Sequence, residues 1–118
     1  MAKVTGFGGA FLRANDPDAL YRWYEKHLGL DGSQGFFSFP EEGQRAPIAV
    51  TFFSRSANYF PTEQPAMLNF QVDDLDAVLD SLIAAGVQVD AKRETYDYGS
   101  FGWFTDPEGN RVELWQPD

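Results

Sequence analysis

The strongest constraint on this chain is that it repeats itself. Ala10-Phe11-Leu12-Arg13-Ala14-Asn15-Asp16-Pro17-Asp18-Ala19-Leu20 returns as Leu68-Asn69-Phe70-Gln71-Val72-Asp73-Asp74-Leu75-Asp76-Ala77-Val78, at an offset of 58 that places Gly9 over Met67. In each copy a strand-like stretch runs into an acidic cap and then a helical pattern. A chain built this way folds as two similar halves.

The local signals agree. A helix is predicted from about Pro17 to Leu28. Asn15 or Asp16 caps it, Pro17 stands at its first position and Gly29 ends it. Leu20, Tyr24 and His27 or Leu28 mark its apolar face. A second helix follows Asp73 or Asp74, with Leu75, Val78, Leu79, Leu82 and Ile83 on one face and Gly86 at its end. Strands are expected at 5–14, about 35–39 and 48–54 in the first half. The second half offers 66–72, about 92–98, 101–105 and 111–116. Asp106-Pro107-Glu108-Gly109-Asn110 reads as a turn, and Tyr98-Gly99-Ser100 as a tighter one. Each half thus reads βαβββ, giving an α+β chain. The expected division is one domain, with module one about 4–54, a linker 55–65 and module two 66–118. Tyr59 and Phe60 on that linker are placed either to fold over a pocket or to anchor the linker to the sheet.

Composition excludes several functions. Aromatic residues make up 16%, too many for a disordered chain, and enough that some should line a cavity or an interface. The net charge of −9 leaves no basic footprint for nucleic acid. It suits a soluble surface or attraction of a cationic ligand. With no Cys, disulfides, thiolate chemistry and Cys-based zinc sites are excluded. No apolar run reaches the roughly 20 residues of a membrane span, and the first residues lack a signal-peptide pattern. A cytoplasmic location is the expectation.

Four blocks then stand in order: Trp23-Tyr24-Glu25-Lys26-His27-Leu28-Gly29-Leu30, Val72-Asp73-Asp74-Leu75, Ala84-Ala85-Gly86-Val87, and Asp106-Pro107-Glu108-Gly109-Asn110-Arg111-Val112-Glu113-Leu114. Across nearly the whole chain they resemble the vicinal-oxygen-chelate superfamily of glyoxalase I, bleomycin-resistance proteins and extradiol dioxygenases. The resemblance implies two tandem βαβββ modules whose mixed sheet curls into a cup with helices outside, and a homodimer. It also implies a divalent metal held by one ligand from each of four strands and acting as a Lewis acid.

Those ligand positions fall here on Gly9, on Val50 or Thr51, on Met67 and on Glu113. Only Glu113 suits a hard divalent cation. His27, the single imidazole, lies on the first helix. No metal at the family position and no cofactor are expected, although ligands elsewhere, such as Glu94, Asp97 or a partner chain, remain open.

Strand alternation predicts which side chains face the cup. Phe7, Phe11 and Arg13 go with Gly9, Asn69 and Gln71 with Met67, and Arg111 and Trp115 with Glu113. The candidate ligand-binding set is Arg13, Phe11, Asn69, Gln71, Tyr59, Phe60, Trp103 and Trp115, with Glu113 the candidate catalytic residue. By the resemblance Arg13 contacts a substrate carboxylate; otherwise it pairs with an acid such as Glu113. Glu113 is either a general base or a carboxylate paired to Arg13 or Arg111. Phe101, Trp103, Tyr96 and Tyr98 either stack a flat ligand or pack a dimer interface.

Three functions compete. The first is a metal-independent small-molecule binder of the bleomycin-resistance kind. The second is a lyase or isomerase of the glyoxalase type, using Glu113 or an unconventional metal site. The third is a non-catalytic structural or regulatory module whose cup is filled by its own side chains.

Overall fold

A computed structural model describes residues 2–118. Two helices pack on an open, mixed five-stranded sheet. The elements are α1 (Pro17–Leu28), β1 (Asn69–Gln71), α2 (Leu75–Ala84), β2 (Gln88–Val89), β3 (Glu94–Tyr96), β4 (Gly99–Thr105) and β5 (Arg111–Pro117), with one 3-10 turn at Glu41–Gly43. The sheet runs β1-β5-β4-β2, and β3 also pairs with β4. β1 lies parallel to β5, and the remaining pairings are antiparallel.

Both helices begin and end where their caps dictate. The Asp16 carboxylate accepts from the Ala19 N–H, Pro17 opens α1, and Gly29 closes it in the left-handed conformation (φ 70°). The Asp74 carboxylate accepts from the Ala77 N–H at the start of α2. Such caps hold backbone N–H groups that the helix itself leaves without acceptors. Leu75, Leu79 and Leu82 of α2 are buried with Tyr24, Phe104, Val112 and Leu114, and this cluster is the core. Ile83, expected on the same face, is instead about half exposed.

Gly102 lets α2 approach the sheet closely. A Cβ there would stand 2.5 Å from Leu79 Cδ1. Gly99 opens β4 at φ 138°, and a Cβ on it would meet the Gln116 carbonyl at 2.4 Å. The expected turn at 98–100 therefore moves: Tyr96 pairs with Gly99, and the loop is Asp97-Tyr98. The short β2 was not predicted.

The larger correction concerns the first half. Residues 5–14, 35–39 and 48–54 form no strands, because none of these segments meets a ladder partner among the described residues. The second half alone builds the sheet. α1 packs on that same layer, where Trp23 stacks on Phe104 and Tyr24 contacts Phe70 and Phe104. The two halves are also joined by polar contacts, one buried and two at the surface. The Tyr24 hydroxyl donates to Asp106 at 2.8 Å. Glu108 of the same turn accepts from the N–H groups of Asn15 and Asp16.

Replacing Gly102 with Val should cost about 1–3 kcal/mol of stability, because the new methyls overpack the α2 contact. Denaturant unfolding followed by far-UV circular dichroism would read this as a lower midpoint with an unchanged slope.

Candidate functional site

The sheet has two unlike faces. One carries Phe70, Phe104, Val112 and Leu114 into the core. The other carries Asn69, Gln71, Glu113 and Trp115, which strand alternation assigned to the cup, and not Phe7, Phe11 or Arg13. Asn69, Glu113 and Trp103 stand side by side on β1, β5 and β4, and one row further lie Gln71, Trp115, Phe101 and Glu94.

Glu113 is the buried centre of this face, 7% exposed. Its Oε1 accepts from the Trp103 indole N–H at 3.0 Å and from the Tyr59 hydroxyl. Its Oε2 accepts from the Asn69 amide at 2.5 Å. All three donors are neutral. A carboxylate offers about four lone-pair sites, so one on Oε2 is left for a further donor.

Arg111, two residues before it on the same strand, does not pair with Glu113. Its guanidinium pairs with Asp90 at 3.1 Å, donates to the Tyr59 carbonyl, and lies 5.2 Å from the centre of the Trp103 ring. Beside Arg111, the Asp90 carboxyl sits below its usual range, held there first by the Lys92 backbone N–H and then by the guanidinium.

The linker anchors to the sheet rather than standing free. The Tyr59 ring meets Trp103 edge-on at 5.8 Å and stacks on Phe53 at 5.3 Å. The Gln64 amide accepts from the Arg111 N–H and donates to the Arg111 carbonyl, both at 2.9 Å. Phe60 packs edge-on against Phe53 and makes no aromatic contact with the sheet face. Burial, then the hydrogen bond to Glu113 and the charges of Glu113 and Glu94, push the Tyr59 phenol well above its ordinary range. Tyr59 is therefore a proton donor to Glu113 and not a base. Tyr24 is pushed up in the same way, by burial and by Asp106.

Beyond Glu113 the face opens into an aromatic shelf. Phe101 and Trp115 are stacked, with ring planes 4° apart, and Tyr96 and Tyr98 are stacked at 8°. The two tyrosines are among the exposed large side chains. The Trp115 N–H donates to the Tyr98 carbonyl, which fixes the indole.

Asn69, Trp103 and Glu113 thus come together as expected, with Trp115 one row away. Other expected residues do not join them. Phe11 is wholly exposed. Arg13 lines a separate cavity of about 430 Å³ with Glu108 and Asn110, and it makes no ion pair with Glu113 or any other acid among the described residues. Both belong to the first-half segment that lacks sheet partners. The Gln71 amide is taken up by residues 45 and 46, accepting from both N–H groups and donating to the Ala46 carbonyl. Gln71 also lines a cavity of about 300 Å³ with Arg45, Phe39 and Leu114. The sequence reading did not connect Tyr59 with Glu113; an aromatic linker beside a polar strand was its only trace.

The donor set does not fit a divalent ion. Among the described residues no three His, Asp or Glu side chains converge. Three of the four lone pairs of Glu113 go to an indole, an amide and a phenol. His27 lies against Trp23, with ring centres 4.8 Å apart. Glu94, the other carboxylate near this face, is bound to Lys92 and to the Tyr96 hydroxyl.

A model of the Glyoxalase/Bleomycin resistance protein/Dioxygenase superfamily matches residues 6–114. The chain belongs to this superfamily. CFP32 of Mycobacterium bovis and Mycobacterium tuberculosis, whose name provisionally assigns it as a glyoxylase, is 30% identical over 117 residues. That match takes in 89% of this chain and 43% of CFP32, so the chain spans less than half the length of these relatives. Among solved structures, TnmS3, an antibiotic binding protein from Streptomyces sp. CB03234, superposes with a TM-score of 0.53 at 24% identity, covering 89% of each chain. A superfamily member from Sphaerobacter thermophilus gives 0.55 at 20% identity, covering 98% of each. A protein of unknown function from Agrobacterium tumefaciens gives 0.61 at 19%, covering 99% of this chain and 98% of that one. These superpositions establish the shared α+β fold of the superfamily. No helix among the described residues is long and apolar enough to cross a membrane.

The phenols of buried Tyr24 and half-buried Tyr59 ionise at higher pH in the folded chain than in the unfolded one. Their contribution to stability is thus complete below about pH 10 and lost as pH rises beyond it. Urea midpoints between about pH 9 and pH 11 should fall with pH, and Tyr59→Phe should make that fall shallower.

Proposed function

We propose that this chain is a metal-independent small-molecule-binding protein, acting in the cytoplasm as a homodimer. Its ligand is a flat aromatic compound carrying an N–H donor or a cationic group. One observation carries the reading: a buried carboxylate, held by three neutral donors and keeping an acceptor site, lies beside stacked aromatic rings. A buried carboxylate without a cation gains most from a donor that brings positive charge. The rings of Phe101, Trp115, Tyr96 and Tyr98 offer stacking area, and stacking is tolerant of the ligand's identity. The net charge of −9 favours the approach of a cation. The antibiotic binding described for TnmS3 supports the same class of role.

A lyase or isomerase with Glu113 as base gains less support. Oε1 already accepts two hydrogen bonds and Oε2 one, which leaves a single lone pair on Oε2 within reach of a substrate proton.

A thermal-shift screen of planar aromatic cations, their neutral analogues and aromatic carboxylates tests the proposal. At ten times its Kd a ligand adds about 1.4 kcal/mol, a melting-point rise of several degrees for a domain of this size. The cations should produce such a rise in the wild type and a smaller one in Glu113→Gln. No rise from any compound, or equal rises in the two proteins, would sink the reading.

A further inference from the structure

A second cavity lies on the opposite side of the sheet from Glu113. Phe70 and Leu114, paired across β1 and β5, line it from the face that carries the core. Leu28 at the end of α1 and Val78 of α2 form its walls, and the Phe39 ring stands 5.8 Å from the Phe70 ring. Its volume is about 300 Å³. That is the lower end of the roughly 300–1,000 Å³ of small-molecule pockets, so its occupant is small and most of its body is apolar.

The rim carries two opposite charges. Arg45 and Asp73 both line the cavity, and both are exposed. Among the described residues neither makes an ion pair. Their backbones are nevertheless held. The Gln71 amide accepts from the N–H groups of Arg45 and Ala46 and donates to the Ala46 carbonyl. Asp73 stands between Val72, whose N–H bonds the Trp115 carbonyl, and Asp74, which caps α2. A cation and an anion are thus set at the mouth of one apolar hollow, on backbone that is already ordered. Such preorganisation lowers the cost of binding.

That pattern selects among ligands. A lone carboxylate gains from Arg45 but meets Asp73, and the net charge of −9 opposes its approach. A lone ammonium gains from Asp73 but meets Arg45. A wholly apolar molecule leaves both charges unused. A small molecule with both charges at one end and hydrocarbon at the other satisfies every part of the lining. Arg45 can grip its carboxylate with a two-pronged fork, and Asp73 can accept from its ammonium.

We propose that this cavity binds a free apolar α-amino acid. The carboxylate goes to Arg45, the ammonium to Asp73, and the side chain against Phe70, Val78 and Leu114. Gln71 is a positioning residue here, holding the backbone of Arg45. The site is separate from the Glu113 face and does not depend on the ligand reading given to that face.

A methyl-labelled NMR titration of the full chain tests this, with leucine, methionine and phenylalanine as probes. Isocaproate and isoamylamine, which are leucine without its ammonium and without its carboxylate, are the controls. The amino acids should shift the Val78 and Leu114 methyl signals with saturation, and both leucine fragments should bind about tenfold more weakly than leucine, or worse. Arg45→Gln and Asp73→Asn, both at exposed positions, should keep the wild-type spectrum without ligand and each weaken leucine binding about tenfold. No saturable shift from any of the three amino acids would overturn the inference. So would fragments that bind as tightly as leucine, or variants that bind it as the wild type does. Shifts centred on the Trp103 indole in place of Val78 would overturn it too, since they would put the ligand on the Glu113 face.

Discussion

Much of this structure hangs on one buried carboxylate at a turn. Asp106, 5% exposed, accepts from the backbone N–H groups of Glu108 and Asn110, from the Asn110 amide and from the Tyr24 hydroxyl. Its own N–H bonds the Asn110 carbonyl. A buried charge is tolerated only when so many donors converge on it. The turn fixes the β4–β5 register, in which Trp103 stands opposite Glu113. The same turn holds α1, through Tyr24 and through Glu108. Core, helix placement and site geometry therefore share one fastening point.

That dependence explains what could be read from the sequence. α1 and α2 were legible to within a residue or two, because Asp16, Pro17, Gly29 and Asp74 act locally. The Asp106–Asn110 turn was legible for the same reason. Asn69 and Glu113 share a face, as alternation along each strand predicted, while Trp103 joins them through the β4–β5 register, which alternation alone does not give. The first-half strands did not form. Phe11 and Phe52 have the pattern of strand residues, but a ladder needs a partner, and alternation does not say where that partner is. The fate of Arg13 was hidden for the same reason, since its position depends on an unpaired segment. Tyr59 was beyond local reading: 54 residues separate it from Glu113.

The site also shows how a superfamily scaffold can keep a ligand-position carboxylate and change its surroundings. Gly9 and Met67 stand at two positions that the resemblance assigns to metal ligands. Near Glu113 the chain supplies Trp103, Asn69 and Tyr59. The groups that donate to the carboxylate are neutral dipoles. Two of the three donors, Tyr59 and Trp103, are aromatic, so the carboxylate is held by the same rings that wall the face.

Two glutamines attach the loops. Gln64 and Gln71 each offer a carbonyl and an N–H to a backbone stretch, as a neighbouring strand would. A primary amide is in effect a detached peptide unit, able to imitate one rung of a ladder without committing the chain on either side to strand geometry. Loops moored by a single rung can change length or composition between moorings while the sheet keeps its register. Changes of length and sequence can therefore accumulate in the loops, with the core left untouched.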